Sequence, residues 1–143
     1  WSGNTSGTGF LASQENLRIA IVMKKIYVSH SKDFDFINEL YKPIRESALN
    51  GEYEFFLPHE NDRPVNTQDI IKNSDTVLAE VSFSATGQGI ELGWANVFGV
   101  PIICISKDGI KISGCLKYIT DTFLTYSDTK ELIERVSDFL KKN

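Results

Sequence analysis

From Lys24 onward, short apolar runs alternate along the chain with longer segments in which apolar residues recur at helical spacing. Short apolar runs are typical of buried strands, and recurrence at i, i+3 and i+4 is typical of amphipathic helices. Strands that alternate with helices are joined by crossovers, which makes them parallel and covers both faces of the sheet. The pattern therefore predicts an α/β fold, a single doubly wound, flavodoxin-like or Rossmann-like sheet of five parallel strands.

The same periodicity gives approximate bounds for each predicted element. The predicted strands are residues 25–29, 53–57, 76–81, 101–105 and 123–126. The predicted helices are residues 34–49, 65–73, 89–98, 111–118 and 129–142. Pro43 is expected to kink the first helix, and Asn50-Gly51 is expected to end it as a C-terminal cap. Asn66 or Thr67 is expected to cap the second helix.

The first 22 residues differ from the rest of the chain. Residues 2–9 are all Gly, Ser, Thr or Asn, and they lack the basic and apolar regions of a signal peptide. Met23 is the only methionine, and the strand pattern begins directly after it. We therefore expect residues 1–22 to be an N-terminal extension, either vector-derived or disordered, and residues 23–143 to form one domain.

Length and charge limit the classes of partner. A chain of 143 residues with 41% hydrophobic residues can build one substantial core, and its net charge of -4 argues against a nucleic-acid polymer as partner. No apolar run approaches the ~20 residues that a membrane-spanning helix needs. Cys104 and Cys115 are expected to be reduced, core-like thiols, which suits a cytoplasmic protein. No Cys/His cluster has metal-ligand spacing, so we expect neither a metal nor another cofactor.

Residues 75–105 hold the strongest functional signal, because they read as strand, loop, helix, tight turn and strand. Glu91 is predicted just inside the helix, where the helix dipole favours an ionised carboxylate. That placement suits a nucleophile, although a carboxylate there could also simply complement the dipole. Gly87 and Gly89 precede it and would let the backbone approach a ligand closely. Ligands of such sheets bind beyond the carboxyl ends of the strands, where the predicted loops converge.

Three further carboxylates lie near this segment. Asp69 could supply a second carboxylate, and two carboxylates in different environments suit the cleavage of a glycosyl bond. Asp75 is expected to terminate the preceding helix. Glu80, near the end of the third strand, could act in the site or support it from outside.

Polar residues also follow the first strand and could bind a phosphate through hydroxyl groups, backbone N–H groups and one cation. These residues are Ser29, His30, Ser31 and Lys32. The alternative is a solvated polar turn. Phe83 lies in a predicted ligand loop and could stack on a nucleobase, whereas Trp94 is expected to be a packing residue.

Several segments resemble the nucleoside 2-deoxyribosyltransferase superfamily. They are Lys-Ile-Tyr-Val-Ser-His-Ser at 25–31, Ser-Asp-Thr-Val-Leu-Ala-Glu-Val at 74–81, Gly-Gln-Gly-Ile-Glu-Leu-Gly-Trp-Ala at 87–95 and Gly-Val-Pro-Ile-Ile-Cys-Ile at 99–105. The resemblance extends from Met23 to the C-terminus. It is closest to the 2'-deoxynucleoside 5'-monophosphate N-glycosidase branch.

The resemblance implies roles for particular residues. Glu91 stands where the family has the nucleophile that forms a covalent sugar–enzyme intermediate. Tyr27 matches an aromatic hydroxyl expected to contact that carboxylate or the sugar. Asp69 is implied as the second carboxylate, but the family places this Asp about two residues earlier, where this chain has Thr67. His59 matches a histidine that follows the second strand in the monophosphate hydrolases.

The resemblance also implies a phosphate site and a partner subunit. Ser31 and Ser113 match serines that bind the 5'-phosphate, with Ser113 supplied by the neighbouring subunit of a homodimer. A further phosphate-binding serine of the family is replaced here by Ala85, which is flanked by Ser84 and Thr86.

The function implied is cleavage of the N-glycosidic bond of a (2'-deoxy)nucleoside 5'-monophosphate or nucleoside, with release of the base. Exchange of bases between deoxynucleosides is the first alternative. A non-catalytic nucleotide-binding or sensory module is an alternative of another class, because a fold does not determine a function. Cleavage of NAD by a single glutamate is a third.

Overall fold

The computed structural model describes residues 23–143, so the expectation for residues 1–22 lies outside the described residues. In the described range, the strands are β1 Lys25–His30, β2 Glu54–Phe56, β3 Thr76–Glu80, β4 Ile102–Lys107 and β5 Phe123–Tyr126. They pair in parallel in the order β2-β1-β3-β4-β5. This is the five-stranded, doubly wound α/β fold that the alternating pattern predicts, and the prediction is confirmed.

Helices cover both faces of the sheet. They are α1 Lys42–Glu46, α2 Leu49–Glu52, α3 Thr67–Lys72, α4 Thr86–Val97 and α5 Thr129–Lys142. One turn of π-helix, Ile37–Tyr41, leads directly into α1, and a 3₁₀ turn, Gly114–Tyr118, precedes β5.

Alternate residues along each strand point to opposite faces, so the sheet separates two apolar clusters. On one face, Ile26 and Val28 of β1 pack with Ile44 of α1 and Leu132 of α5. On the other face, α3 and α4 pack against the sheet, and Ala79 of β3 belongs to that second cluster. The helices that follow β1 and β3 therefore lie on opposite faces. These neighbouring strands form the topological switch point, where a crevice opens.

The region after β1 differs from the single helix predicted for residues 34–49. Pro43 occupies one of the first two positions of α1, directly after the π-helical turn, and because it has no N–H group it donates no hydrogen bond back to that turn. The helix ends at Glu46 because Ser47 is extended, with φ -88° and ψ 165°. Asn50 and Gly51 then lie inside α2 instead of capping the first helix, so that part of the prediction is wrong.

Helix α4 begins at Thr86, earlier than the predicted start at Gly89. Gly87 and Gly89 therefore belong to its first turns, and Glu91 lies in the second turn. The free N–H groups of a helix belong to its first turn, so they do not hold Glu91 as the sequence suggested.

Two smaller predictions have opposite outcomes. The side chain of Asn66 accepts a hydrogen bond from the backbone N–H of Gln68, so the predicted cap of α3 is confirmed. Cys104 is buried, which raises the pKa of its thiol to about 12. Cys115 is exposed on the 3₁₀ turn, so the expectation of two core-like thiols is wrong for this residue.

Candidate active site

A cleft of about 990 Å³ opens beyond the carboxyl ends of the strands. Most of its lining comes from three segments. The loop after β1 contributes Ser31 and Lys32, the loop after β2 contributes His59 and Arg63, and α4 contributes Glu91. These are the loops that the topology was expected to bring together, because the carboxyl ends of parallel strands share one edge of the sheet.

The carboxylate of Glu91 is held by two hydroxyl groups from β1. The Tyr27 hydroxyl donates a hydrogen bond to Oε2, and the Ser29 hydroxyl donates to Oε1 at 3.0 Å. Tyr27 and Ser29 are two residues apart on one strand, so both side chains point to the face that α4 covers. Both donors are buried, and each oxygen of Glu91 is therefore oriented from beneath the cleft.

Burial raises the pKa of Glu91 above its ordinary value. Hydrogen bonds from the hydroxyl groups of Tyr27 and Ser29 oppose this effect, as does the nearby hydroxyl group of Thr67, because they stabilise the charged form. Burial, and then the charge of Glu91, raises the pKa of Tyr27 far above that of a free tyrosine. Tyr27 therefore stays protonated and remains a hydrogen-bond donor to the carboxylate.

Thr67, and not Asp69, faces Glu91 from α3. Thr67 lines the cleft, whereas Asp69 is exposed and lines a separate pocket of about 280 Å³ with Lys25 and Asn73. The expected second carboxylate at Asp69 thus lies outside the cleft, because two positions along a helix turn the side chain to another face. Asp75 accepts a hydrogen bond from the backbone N–H of Lys25 at 2.8 Å and joins the starts of two strands.

His30 is buried and bonded on both ring nitrogens. Nδ1 lies 2.7 Å from the Ser31 carbonyl oxygen, and Nε2 lies 2.6 Å from the Tyr41 hydroxyl. A carbonyl only accepts, so Nδ1 carries the proton and Nε2 accepts from Tyr41. Burial lowers the pKa of His30 to about 4. The ring is neutral near pH 7 and supplies no cation for a phosphate.

The Tyr41 hydroxyl also accepts a hydrogen bond from the backbone N–H of His59 at 3.0 Å. The imidazoles of His30 and His59 lie with their centroids 5.4 Å apart. Burial, and then the charge of Lys32, lowers the pKa of His59. His30 and Tyr41 therefore position the loop that brings His59 into the cleft.

The other predicted binding residues divide into two groups. Ser31 is buried, and its hydroxyl accepts a hydrogen bond from the backbone N–H of Asp33 at 3.0 Å, whereas Lys32 is exposed. Both line the cleft with Ala85 and Gly87. The residues that do not line it are Phe83, Ser84, Thr86, Gly89 and Ser113.

Phe83 packs away from the cleft. Its ring stacks on Phe34 with centroids 5.4 Å apart, and the Lys107 ammonium lies 5.5 Å from its centroid. Both partners belong to the protein, so the expected stacking of Phe83 on a base has no support in this geometry. Trp94, expected to be a packing residue, lines the cleft and offers an aromatic surface instead.

Ser113 directly precedes the 3₁₀ turn, outside this cleft, and its side chain forms no capping hydrogen bond. It is exposed, and its hydroxyl lies 3.0 Å from the Cys115 sulfur. Glu80 is also outside the cleft and is 1% exposed. Its carboxyl accepts from the Tyr126 hydroxyl and from the backbone N–H of Ser82 at 2.5 Å. Glu80 therefore stabilises the carboxyl end of the sheet beside the site.

Sequence reasoning missed Gln88 and Arg63 as residues of the cleft. Arg63 lies in a loop of no regular pattern, so only the tertiary structure places it. Gln88 lies three residues before Glu91, a spacing that shares a helix face, so the sequence held a usable signal there once the helix start was known.

Among residues 23–143, no group of three or more His, Cys, Asp or Glu side chains is placed to hold a metal ion. No helix in the described part of the chain combines the length and apolar character required to cross a membrane.

One curated relative is similar in sequence, and no protein-family model matches the chain. The relative is a Methanosarcina mazei protein provisionally named 2'-deoxynucleoside 5'-phosphate N-hydrolase 1. It is 29% identical over 75 residues, which are 50% of this chain and 47% of the relative. The match thus spans about half the length of each protein.

Two solved structures share the fold. The Clostridium botulinum CMP N-glycosidase BcmB superposes with a TM-score of 0.62 at 17% identity, covering 81% of this chain and 99% of that one. A conserved protein from Enterococcus faecalis V583 gives a TM-score of 0.53 at 18% identity, covering 81% and 98%. The two structures show that the fold is shared. The name of the M. mazei relative belongs to the N-glycosidase branch that the sequence motifs resemble, and it confirms that resemblance.

Proposed function

We propose that the protein cleaves the N-glycosidic bond of a nucleoside 5'-monophosphate and releases the base. The observation that carries this proposal is the carboxylate of Glu91, which faces a cleft of about 990 Å³ and is oriented by the Tyr27 and Ser29 hydroxyl groups. A carboxylate oriented at two atoms and partly removed from water is suited to attack a sugar carbon. The N-hydrolase and N-glycosidase names of the relatives support the same reaction class.

In the proposed mechanism, Glu91 attacks C1' of the sugar. The C1'–N bond breaks with its electron pair going to the base, and water supplies the proton that the base takes up. A second water then attacks C1' and gives its proton to the hydroxide that the first water left. The ester bond between C1' and Glu91 breaks, which releases the sugar phosphate and the free carboxylate with net retention of configuration. Asp69 has no part in these steps, because it lies outside the cleft.

A 5'-phosphate is supported by the cations and donors of the cleft. Lys32 and Arg63 both line it, and neither forms an ion pair with another residue of the range 23–143. The Ser31 hydroxyl and the start of α4 add possible donors. Arginine binds phosphate oxygens through two parallel N–H groups, so Arg63 is the residue best suited to this role.

The decisive experiment is product analysis with nucleosides and their 5'-monophosphates, ribo and deoxy, with and without a free acceptor base. Base released only from monophosphates supports the proposal. Arg63→Ala should then raise KM about tenfold with little change in kcat, and Lys130→Ala on α5 serves as the control. Exchange of bases between unphosphorylated nucleosides would show that the protein is a transferase and not a hydrolase.

Tyr27→Phe tests how Glu91 is held. Loss of the hydroxyl should lower kcat/KM by roughly 10- to 100-fold, since one charge-assisted hydrogen bond to the nucleophile is lost. That hydrogen bond lowers the pKa of Glu91, so its loss should move the acid limb of the pH–rate profile to higher pH. Tyr53→Phe, at a half-buried tyrosine outside the cleft, is the matched control. An unshifted acid limb would contradict the assigned contact.

A non-catalytic nucleotide-binding module is the second candidate. One observation favours it: α3 presents the neutral hydroxyl of Thr67 to Glu91, and the carboxylate of Asp69 points elsewhere. Monophosphates would then bind in the cleft without base release. Binding measured by calorimetry in the absence of any product separates this candidate from the hydrolase.

We further propose that two copies of the chain associate through α4 and the 3₁₀ turn. Val97 on α4 is 81% exposed and Tyr118 on the turn is 78% exposed, and an interface between two copies would remove this surface from water. Ile90, on the same helix, is half exposed beside the cleft. An interface there would account for Ser113 acting on the neighbouring site. A monomeric mass in light scattering at the assay concentration would contradict it.

A further inference from the structure

Gln88 lies one helical turn before Glu91 and spans the switch point of the sheet. Its side chain is 6% exposed and lines the cleft. Nε2 donates one hydrogen bond to the Glu80 carbonyl oxygen at 2.7 Å and one to the Ser29 carbonyl oxygen at 3.2 Å. These carbonyls lie near the ends of β3 and β1, where the segments that follow the two strands diverge toward opposite faces of the sheet. The amide therefore joins the two strand ends beneath the cleft.

These two bonds determine how the amide is oriented. They use both hydrogens of Nε2, and the reversed amide would set Oε1 against two carbonyl oxygens. Oε1 takes part in neither bond, yet no buried side-chain oxygen or nitrogen among residues 23–143 lacks a partner. Oε1 of Gln88 is therefore accessible, and the cleft is the space that this side chain lines.

The acceptor and the nucleophile are neighbours. Residues at i and i+3 share one helix face, so Gln88 and Glu91 project from the same face of α4. Ser29 connects them: its hydroxyl donates to Glu91 at 3.0 Å, and its carbonyl accepts from Gln88. In the proposed reaction Glu91 attacks C1'. The substituent on the adjacent carbon is a hydroxyl group in ribose and a hydrogen atom in 2'-deoxyribose.

We infer that Gln88 is a specificity-determining residue whose Oε1 accepts a hydrogen bond from the C2' hydroxyl of a ribonucleoside 5'-monophosphate. The inference rests on the proposed function and names the sugar of its substrate. A 2'-deoxynucleotide leaves Oε1 without a donor once the sugar covers it. An unsatisfied acceptor of this kind lowers kcat/KM by about 10- to 100-fold.

The test compares one ribonucleotide with its 2'-deoxy counterpart, so that base and phosphate are the same. Wild-type protein should favour the ribonucleotide by about 10- to 100-fold in kcat/KM. Gln88→Leu keeps the side-chain volume and removes the acceptor, so the ratio of the two kcat/KM values should fall to about 1. This holds even if both rates drop because the hydrogen bonds of Nε2 to the two strand ends are lost. Gln68→Leu on α3, outside the cleft, should keep the wild-type ratio.

A wild-type preference for the deoxynucleotide, or an unchanged ratio in Gln88→Leu, would overturn the assignment. A second measurement needs neither turnover nor a variant: calorimetry of wild-type protein with ribose 5-phosphate and with 2-deoxyribose 5-phosphate. Tighter binding of ribose 5-phosphate supports the role of Gln88, and equal or weaker binding overturns it. If neither nucleotide releases base, the proposed function fails, and the calorimetry alone decides the role of Gln88.

Discussion

Replacing Glu91 with glutamine is expected to lower base release roughly 10⁴-fold or more, because an amide cannot form the sugar ester. The substitution keeps the size of the side chain, so substrate binding should change little. The measurement is the rate of base release from the nucleotide that wild-type protein uses, with calorimetry to confirm that Glu91→Gln still binds it.

A control variant and a contradicting outcome accompany this prediction. Glu60→Gln removes a carboxylate from the loop after β2, where Glu60 pairs with Arg45 at 2.8 Å, and it should leave turnover largely intact. Retention of wild-type turnover by Glu91→Gln would remove Glu91 from the mechanism.

The pH dependence follows from the raised pKa of Glu91. The nucleophile must be ionised, so kcat/KM should fall as the pH drops through a pKa that lies above the ordinary glutamate value. The pH dependence of stability is opposite to that of a carboxylate whose pKa is lowered by folding. The folded state binds the proton of the Glu91 carboxyl group more tightly than the unfolded state does. The contribution of Glu91 to stability therefore decreases as the pH rises through the folded-state pKa of Glu91. Glu91→Gln should lack this contribution in urea titrations carried out at pH values above the ordinary glutamate pKa.

Removal of the Tyr126 hydroxyl is expected to cost about 2–3 kcal/mol of unfolding free energy. Tyr126 and Glu80 are both buried, and the Tyr126 hydroxyl donates to the Glu80 carboxyl. Tyr126→Phe leaves that carboxyl oxygen without its donor inside the protein, and an unsatisfied buried polar atom is costly. The measurement is urea unfolding followed by circular dichroism at neutral pH.

Tyr53→Phe is the matched control, because the same atom is removed from a side chain that is only half-buried and packs on the face of the sheet opposite α4. It should change the unfolding free energy by less than about 0.5 kcal/mol. Equal effects of the two substitutions would contradict the assignment of the Tyr126–Glu80 contact as a stabilising one.

The sheet could be predicted from the sequence because strand and helix periodicity are local properties of the chain. The boundaries of helices were harder to predict. The start of α4 was misplaced because Thr86 and Gly87 look like loop residues, yet both belong to the helix that carries Glu91. The interruption between Glu46 and Leu49 was missed because Ser47 has no strong local preference for the extended conformation that it adopts.

The sequence by itself determined the order of strands and helices, the parallel sheet and the resemblance that singles out Glu91. These depend on periodicity and on short motifs. The tertiary structure alone decided that Thr67 faces the carboxylate in place of Asp69, that Phe83 packs on Phe34, and that Arg63 enters the cleft. Such contacts join residues far apart in sequence, and the direction of a side chain depends on helix phase and loop path, which local patterns do not specify.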